Sequence, residues 1–245
     1  MRLLAVAFSL LAMTVPAGRA AGAPPSLVAA CGDSSGIAAH PLWLTAGDGV
    51  RLYAIEAGKG STAVVLAHQG GSDLCEELPY AKTLLARGLR IVAFDFRGNG
   101  RSELPAKDSL TLGRDLAAAV SRAHAQRAKH VFLVGASMGG AAVVQNGAGL
   151  RVDGLVSLSG TRLWPGYGIN KPGPGAVRAP FLYLGSRRDS RAPLQEARRV
   201  FRSVGSHDKR EILYPGSLHG WELVQAAPHA AKIRALILAW IRARS

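Results

Sequence analysis

Residues 131–146 read VFLVGASMGGAAVVQN, and the fold turns on how this stretch is parsed. Val131-Phe132-Leu133-Val134 is an apolar run of strand length, rich in β-branched and aromatic residues. It lacks polar alternation, which marks a strand covered on both faces. Gly135-Ala136-Ser137-Met138-Gly139 then fits G-x-S-x-G, and residues 141–150 are small and apolar enough to form a helix. A strand, a sharp turn and a helix in that order hold a serine at the tip of the turn in strained geometry, where side chains at either flanking glycine would collide. With 29 glycines in the chain the pentapeptide alone carries little weight, and an ordinary glycine-rich turn is the plainer alternative. The flanking strand and helix favour the first reading.

Working outward, short apolar runs at 63–67 (AVVLA), 91–96 (IVAFDF), 155–158, 181–184 and 212–214 read as further strands. Residues 42–44 and 50–55, parted by Gly47-Asp48-Gly49, read as a hairpin. Apolar spacing predicts helices over 78–89, 112–128 and 192–204 and from about 227 to 244. This alternation predicts an α/β class: a mostly parallel twisted sheet with helices on both faces and right-handed crossovers. One domain is expected over 41–245, after a polar linker at 23–40. Segment 161–178 breaks the rhythm, being rich in Gly and Pro and carrying Trp164 and Tyr167. It is expected to be a loop or minimal lid.

The N-terminus has its own pattern. Met1-Arg2 is a basic start, residues 3–15 are almost wholly apolar, and small residues surround Ala20-Ala21-Gly22. That order predicts a signal peptide over 1–22 and a secreted or extracytoplasmic protein. Its apolar run of about 13 residues is too short to span ~30 Å of hydrocarbon as a helix. Cys31 and Cys75 are the only cysteines, and an oxidising compartment would pair them. A competing reading takes Val28-Ala29-Ala30-Cys31 as a lipobox, with Cys31 lipidated and the protein anchored to a membrane. The chain carries +14; without Arg2 and Arg19, 28 basic residues stand against 16 acidic ones, a net +12. The basic residues are scattered, and the densest group (Arg187, Arg188, Arg191, Arg198, Arg199, Arg202) has no interleaved aromatics. A solvated face is therefore expected rather than a specific nucleic-acid partner.

A serine at its free pKa needs a base within reach. Of seven histidines, His219 lies just beyond the last strand, in Leu218-His219-Gly220-Trp221, over the edge of the sheet where ligands bind in open α/β folds. His124 and His229 fall in or beside helices, His207 precedes a strand, and His68 ends one in what reads as a structural place. The acid that orients the imidazole is expected to be Asp189, four residues past Gly185 on the loop after a strand. It also gives the chain order Ser, Asp, His. Asp208 precedes a strand, at the wrong edge, and Asp95 reads as a salt-bridge residue.

With these residues in place, the chain from Leu44 onward resembles the α/β-hydrolase superfamily. Asp95-Phe96-Arg97-Gly98-Asn99-Gly100-Arg101-Ser102 is similar to its D-x-R-G-x-G-x-S turn, and Val65-Leu66-Ala67-His68-Gln69-Gly70-Gly71-Ser72 resembles its oxyanion loop. The family has His-Gly where this chain has His68-Gln69. The resemblance implies oxyanion donors at the backbone N–H of Gly70, with Gln69 as the alternative, and of Met138. It implies a serine hydrolase acting on an ester-like bond of a small acyl substrate, a carboxylic ester or thioester, through an acyl-enzyme. The serine argues against the dehalogenases and epoxide hydrolases of the superfamily, which use a carboxylate there. A peptidase, acyltransferase or perhydrolase on the same triad, or an inactive binding protein of this fold, stay open. No cofactor is expected, and no Cys/His spacing points to a metal.

Overall fold

The computed structural model describes residues 22–32, 36–105, 111–162, 173–226 and 229–245. The expected signal segment up to residue 21, and Trp164 and Tyr167, lie outside the described residues. The described residues form eight strands: β1 (His40–Thr45), β2 (Arg51–Ala57), β3 (Thr62–Ala67), β4 (Arg90–Phe94), β5 (His130–Ala136), β6 (Gly154–Leu158), β7 (Phe181–Ser186) and β8 (Lys209–Tyr214). They make one sheet in the order β1-β2-β4-β3-β5-β6-β7-β8. β2 runs antiparallel to β1 and β4, and the other neighbours are parallel.

Among the described residues, seven α-helices cover the sheet: α1 (Leu27–Cys31), α2 (Leu78–Leu85), α3 (Leu112–Ala125), α4 (Met138–Asn146), α5 (Leu194–Ser203), α6 (Glu222–Gln225) and α7 (Ala230–Arg242). The period of two along each strand sorts side chains between two cores. Ala63, Val65 and Ala67 of β3 and Val131 and Leu133 of β5 face α3, α4 and α5. Val64 and Leu66, with Phe132, Val134 and Ala136, face α1, α2, α6 and α7. Because both faces are buried, the strands are apolar throughout, as their sequences read.

Two features differ from expectation. The helix after Ser137 begins at Met138 rather than at 141, because its glycines are needed for close approach and do not break the first turn. The segment expected as a polar linker carries α1, capped by the Ser26 hydroxyl and fixed by buried Leu27. It is fastened further by the Trp43 Nε1–H bond to the Gly22 carbonyl and the Tyr53 hydroxyl bond to the Pro25 carbonyl. As expected, Cys31 and Cys75 form a disulfide, with Cα atoms 5.4 Å apart, so the Cys31 sulfur is committed to that bridge. Among the described residues, no helix is long and apolar enough to cross a membrane.

The strand order places the site. From β3 the chain moves outward on one side to β4, then returns to lay β5 along the other side of β3. At such a reversal the loops leaving the two strands diverge and open a crevice at their carboxyl ends. The 68–73 loop leaves β3 and Ser137 leaves β5, with Ala67 paired to Gly135 in register.

Candidate active site

Ser137 sits on the turn from β5 into α4 with φ +48°, a left-handed conformation rarely adopted by residues with a side chain. Three contacts hold it there. Its N–H donates to the Leu158 carbonyl (2.9 Å), its carbonyl accepts the Ala141 N–H (2.8 Å), and the Gly139 N–H donates to the His68 carbonyl (3.1 Å). The flanking glycines are required sterically. A Cβ at Gly135 would lie 2.4 Å from the backbone of Gly139, and one at Gly139 would lie 2.1 Å from the Ala67 carbonyl oxygen.

His219 is delivered by the loop after β8. Its Nε2 lies 2.8 Å from Ser137 Oγ and its Nδ1 2.7 Å from Asp189 Oδ2. A carboxylate can only accept, so Nδ1 carries the proton and Nε2 accepts from the serine hydroxyl. The histidine's own N–H donates to Glu222 Oε2 (2.8 Å), and this contact was not foreseen. The only signal for it in the sequence is the spacing of three residues. Asp189, on the loop after β7, turns Oδ1 to the N–H groups of Arg191 (2.9 Å) and Ala192 (3.1 Å), leaving Oδ2 for the imidazole. Burial would raise its carboxyl, but the interaction with His219 and the Ala192 N–H together hold it below the usual range. All three side chains are almost wholly buried. A hydroxyl beside a neutral imidazole, backed by an ionised carboxylate, has the geometry for general-base activation of an oxygen nucleophile.

The other candidates lie elsewhere. Asp208 is at the opposite end of the sheet, paired with Arg244 (2.8 Å). His124 bonds the Arg151 carbonyl on the surface, and His229 stacks on Tyr214. His68 is structural. Its Nε2 accepts the Phe96 N–H (2.9 Å), so Nδ1 is the donor to the Gln69 carbonyl (2.8 Å), and burial lowers its pKa to about 4. Among the described residues, Asp95 forms no salt bridge of the kind expected. It is sealed at the base of the 95–102 turn, where its oxygens accept the N–H groups of Leu74 and Arg101 (both 2.8 Å). Burial dominates its titration and lifts it to about 6. In the same turn Gly100 is obligatory, since a Cβ there would meet Asp95 Oδ2 at 2.2 Å. Arg97 is buried between Asp115 (2.7 Å) and Asp48 (2.8 Å).

Gln69, where the chain departs from His-Gly, is engaged on two sides. Its Nε2 donates to Glu76 Oε1 (2.5 Å), and its Oε1 rests against Gly220, next to His219. Glu76 follows Cys75 in the 3₁₀ turn Leu74–Glu77, so the disulfide anchors the segment that grips Gln69. Among the described residues, no group of His, Cys, Asp and Glu side chains could hold a metal ion.

A family profile described as "Alpha/beta hydrolase family" matches residues 64–244, about three quarters of the chain. The chain belongs to that family. Its fold places it beside an esterase of Pyrococcus furiosus, with a TM-score of 0.73 and 17% identity over 93% of this chain and 99% of the other. A monoacylglycerol lipase of Paleococcus ferrophilus has a TM-score of 0.64 and 19% identity, covering 79% of this chain and 99% of its own. Protein phosphatase methylesterase 1 of Mus musculus is 30% identical over 118 residues. That match takes in 46% of this α/β hydrolase and only 30% of the methylesterase, so less than a third of that relative's length is spanned.

Proposed function

We propose that this α/β hydrolase cleaves a carboxylic ester or thioester through an acyl-enzyme on Ser137, with His219 as general base and acid and Asp189 as the orienting carboxylate. One observation carries the reading: the unbroken contact chain from Ser137 Oγ to His219 (2.8 Å) to Asp189 (2.7 Å), with the serine in strained geometry. The esterase relatives agree in reaction class. In acylation Ser137 Oγ attacks the carbonyl carbon while His219 Nε2 takes the hydroxyl proton. The tetrahedral intermediate collapses as His219 returns that proton to the leaving alcohol or thiol, and water repeats the sequence to release the acid.

The oxyanion is assigned to the N–H groups of Met138 and Gly70. Met138 is the first residue of α4, where an N–H has no intrahelical partner. The Gln69 carbonyl is turned to His68, and in a trans peptide the Gly70 N–H then points the opposite way, leaving it available. Each donor is worth about 3 kcal/mol of transition-state stabilisation in comparable sites. The disulfide is compatible with an extracytoplasmic site of action, which we also propose.

The test is covalent. A fluorophosphonate probe should add one equivalent to the protein, mapped to the peptide containing Ser137, and Ser137→Ala should lose both labelling and ester turnover while keeping its circular dichroism. Unchanged burst kinetics in that variant would end the proposal.

A further inference from the structure

Charge on the rim of the site is left unexplained by the reaction itself. The loop that presents Asp189 also carries Arg187, Arg188 and Arg191, all exposed and none with an acidic partner among the described residues. The loop is anchored: the N–H groups of Arg187 and Arg188 donate to the carbonyls of Tyr214 and Gly216 (both 2.9 Å), and that of Arg191 to Asp189 Oδ1. These arginines therefore stand on a fixed base, the loop whose Asp189 is one imidazole away from Ser137.

The basic surface continues along α5. Arg199 reaches Glu196 only at 3.7 Å, and Arg198 and Arg202 share the field of Glu211. Arg162, leaving β6 at the same edge of the sheet, joins Arg199, Arg202 and Ser203 around an open depression of about 440 Å³. Between 187 and 203 there are six arginines and two acids, and one of the acids, Asp189, is committed to His219. A face built only for solubility mixes its signs. Of the other acidic side chains of this edge, Asp73, Glu76, Glu77 and Asp95 are gathered at and behind the 68–73 loop, with Glu77 and Asp95 buried, and Glu222 accepts the His219 N–H. The edge is thus polarised, positive on the β6–β7 side. Such a field concentrates substrates of opposite sign and speeds their encounter.

From this we infer that the hydrolase selects anionic esters, substrates bearing a carboxylate or phosphate that lies toward Arg187, Arg188 and Arg191, with the Arg162–Arg202 depression accepting further negative groups. The inference rests on Ser137 acting as the esterolytic nucleophile.

Matched substrates test it on the full chain. One arm compares p-nitrophenyl hexanoate with p-nitrophenyl hydrogen adipate, of equal length but ending in a carboxylate. The other compares butyryl glycerol with butyryl glycerol phosphate, which separates a phosphate from a carboxylate preference. In at least one arm the anionic member should have kcat/KM about tenfold or more above its neutral match at low salt, mainly through KM, and that advantage should collapse at high ionic strength. The double variant Arg188→Glu with Arg191→Glu should reverse the ratio, and lysine at both positions should keep it. Normal turnover of the neutral esters with no anionic preference and no salt effect overturns the inference and leaves the proposed function intact. Failure of every ester, with no fluorophosphonate adduct, overturns the proposed function itself. A wild-type preference that persists in the folded double glutamate variant removes the assignment to this loop. If that variant does not fold, the salt dependence of the wild-type ratio decides.

Discussion

A methyl group at position 139 would meet the Ala67 carbonyl at 2.1 Å, and that oxygen belongs to a strand paired on both sides. Gly139→Ala should therefore push the elbow off β3, break the Gly139 N–H bond to His68, and cost about 1–3 kcal/mol as overpacking does. Urea unfolding checks this, with Gly149→Ala as control, where nothing lies within 4 Å. Asp189→Asn should cut ester turnover about 10⁴-fold by presenting the wrong tautomer of His219, whereas Asp208→Asn, at the far edge, should leave it unchanged. His68 supplies a pH test. Burial lowers its folded pKa to about 4, while the unfolded value is ~6.5, so the folded protein binds fewer protons across that interval. Its contribution is fully present above about pH 6.5 and fades as pH falls toward 4, with an upper bound of ~3 kcal/mol. The stability cost of His68→Asn should accordingly be largest at pH 7 and shrink in acid; a cost that grows in acid would mean that the folded protein holds the His68 proton more tightly than the unfolded chain, against a buried neutral ring.

The 95–102 turn shows best what an element needs beyond its own sequence. Arg97 satisfies two carboxylates from distant parts of the chain, Asp48 in the hairpin and Asp115 in α3, and its guanidinium has no exposed surface. Arg97→Ala would leave Asp115 buried without its cation, a change that costs about 3–5 kcal/mol. Asp115→Asn should cost less, since it removes the charge and keeps an acceptor; chemical denaturation of both variants is the measurement. Long-range pairings of this kind explain which parts of the fold were legible. The strands could be read because burial on both faces leaves an unbroken apolar run, and the elbow because glycine is demanded on both sides of Ser137. α1 escaped notice because five residues, Leu27–Cys31, are too few to show periodicity, and what holds them comes from β1, β2 and a disulfide. α6 is shorter still. That Ser137, His219 and Asp189 would meet was legible from the G-x-S-x-G turn together with strand order, which puts the loops after β5, β7 and β8 at one edge. The Glu222 and Gln69–Glu76 contacts were not, since nothing in a Glu or Gln announces which backbone or side chain it will meet.

At the scale of the whole molecule, the disulfide closes 44 residues of chain, a span that includes the hairpin and β3. In the chain-entropy picture that restraint on the unfolded state is worth about 4 kcal/mol. Cys31→Ser with Cys75→Ser should lower the urea midpoint accordingly, and reductant should then have no further effect on the double variant. The 22 residues between β6 and β7 (159–180) are rich in Gly and Pro, the composition from which a loop or minimal lid is expected, and 163–172 of them lie outside the described residues. An uncovered acyl chain forgoes about 0.8 kcal/mol per unburied methylene, so short soluble esters should be preferred and micelle formation should bring no jump in rate. A p-nitrophenyl series from acetate to palmitate measures both. The fastening of α1 also has a practical side for whoever prepares the protein. A gene trimmed to begin at the hairpin would retain every strand, yet it would delete Leu27 and Cys31 and leave Cys75 an unmatched thiol beside the glutamate that grips Gln69. Production of the full sequence in a reducing cytosol would likewise leave Cys75 a thiol, although Leu27 would be kept. Batches alike in their circular dichroism would then differ in specific activity with the host compartment and the buffer's reductant, and the culprit would be a single sulfur–sulfur bond.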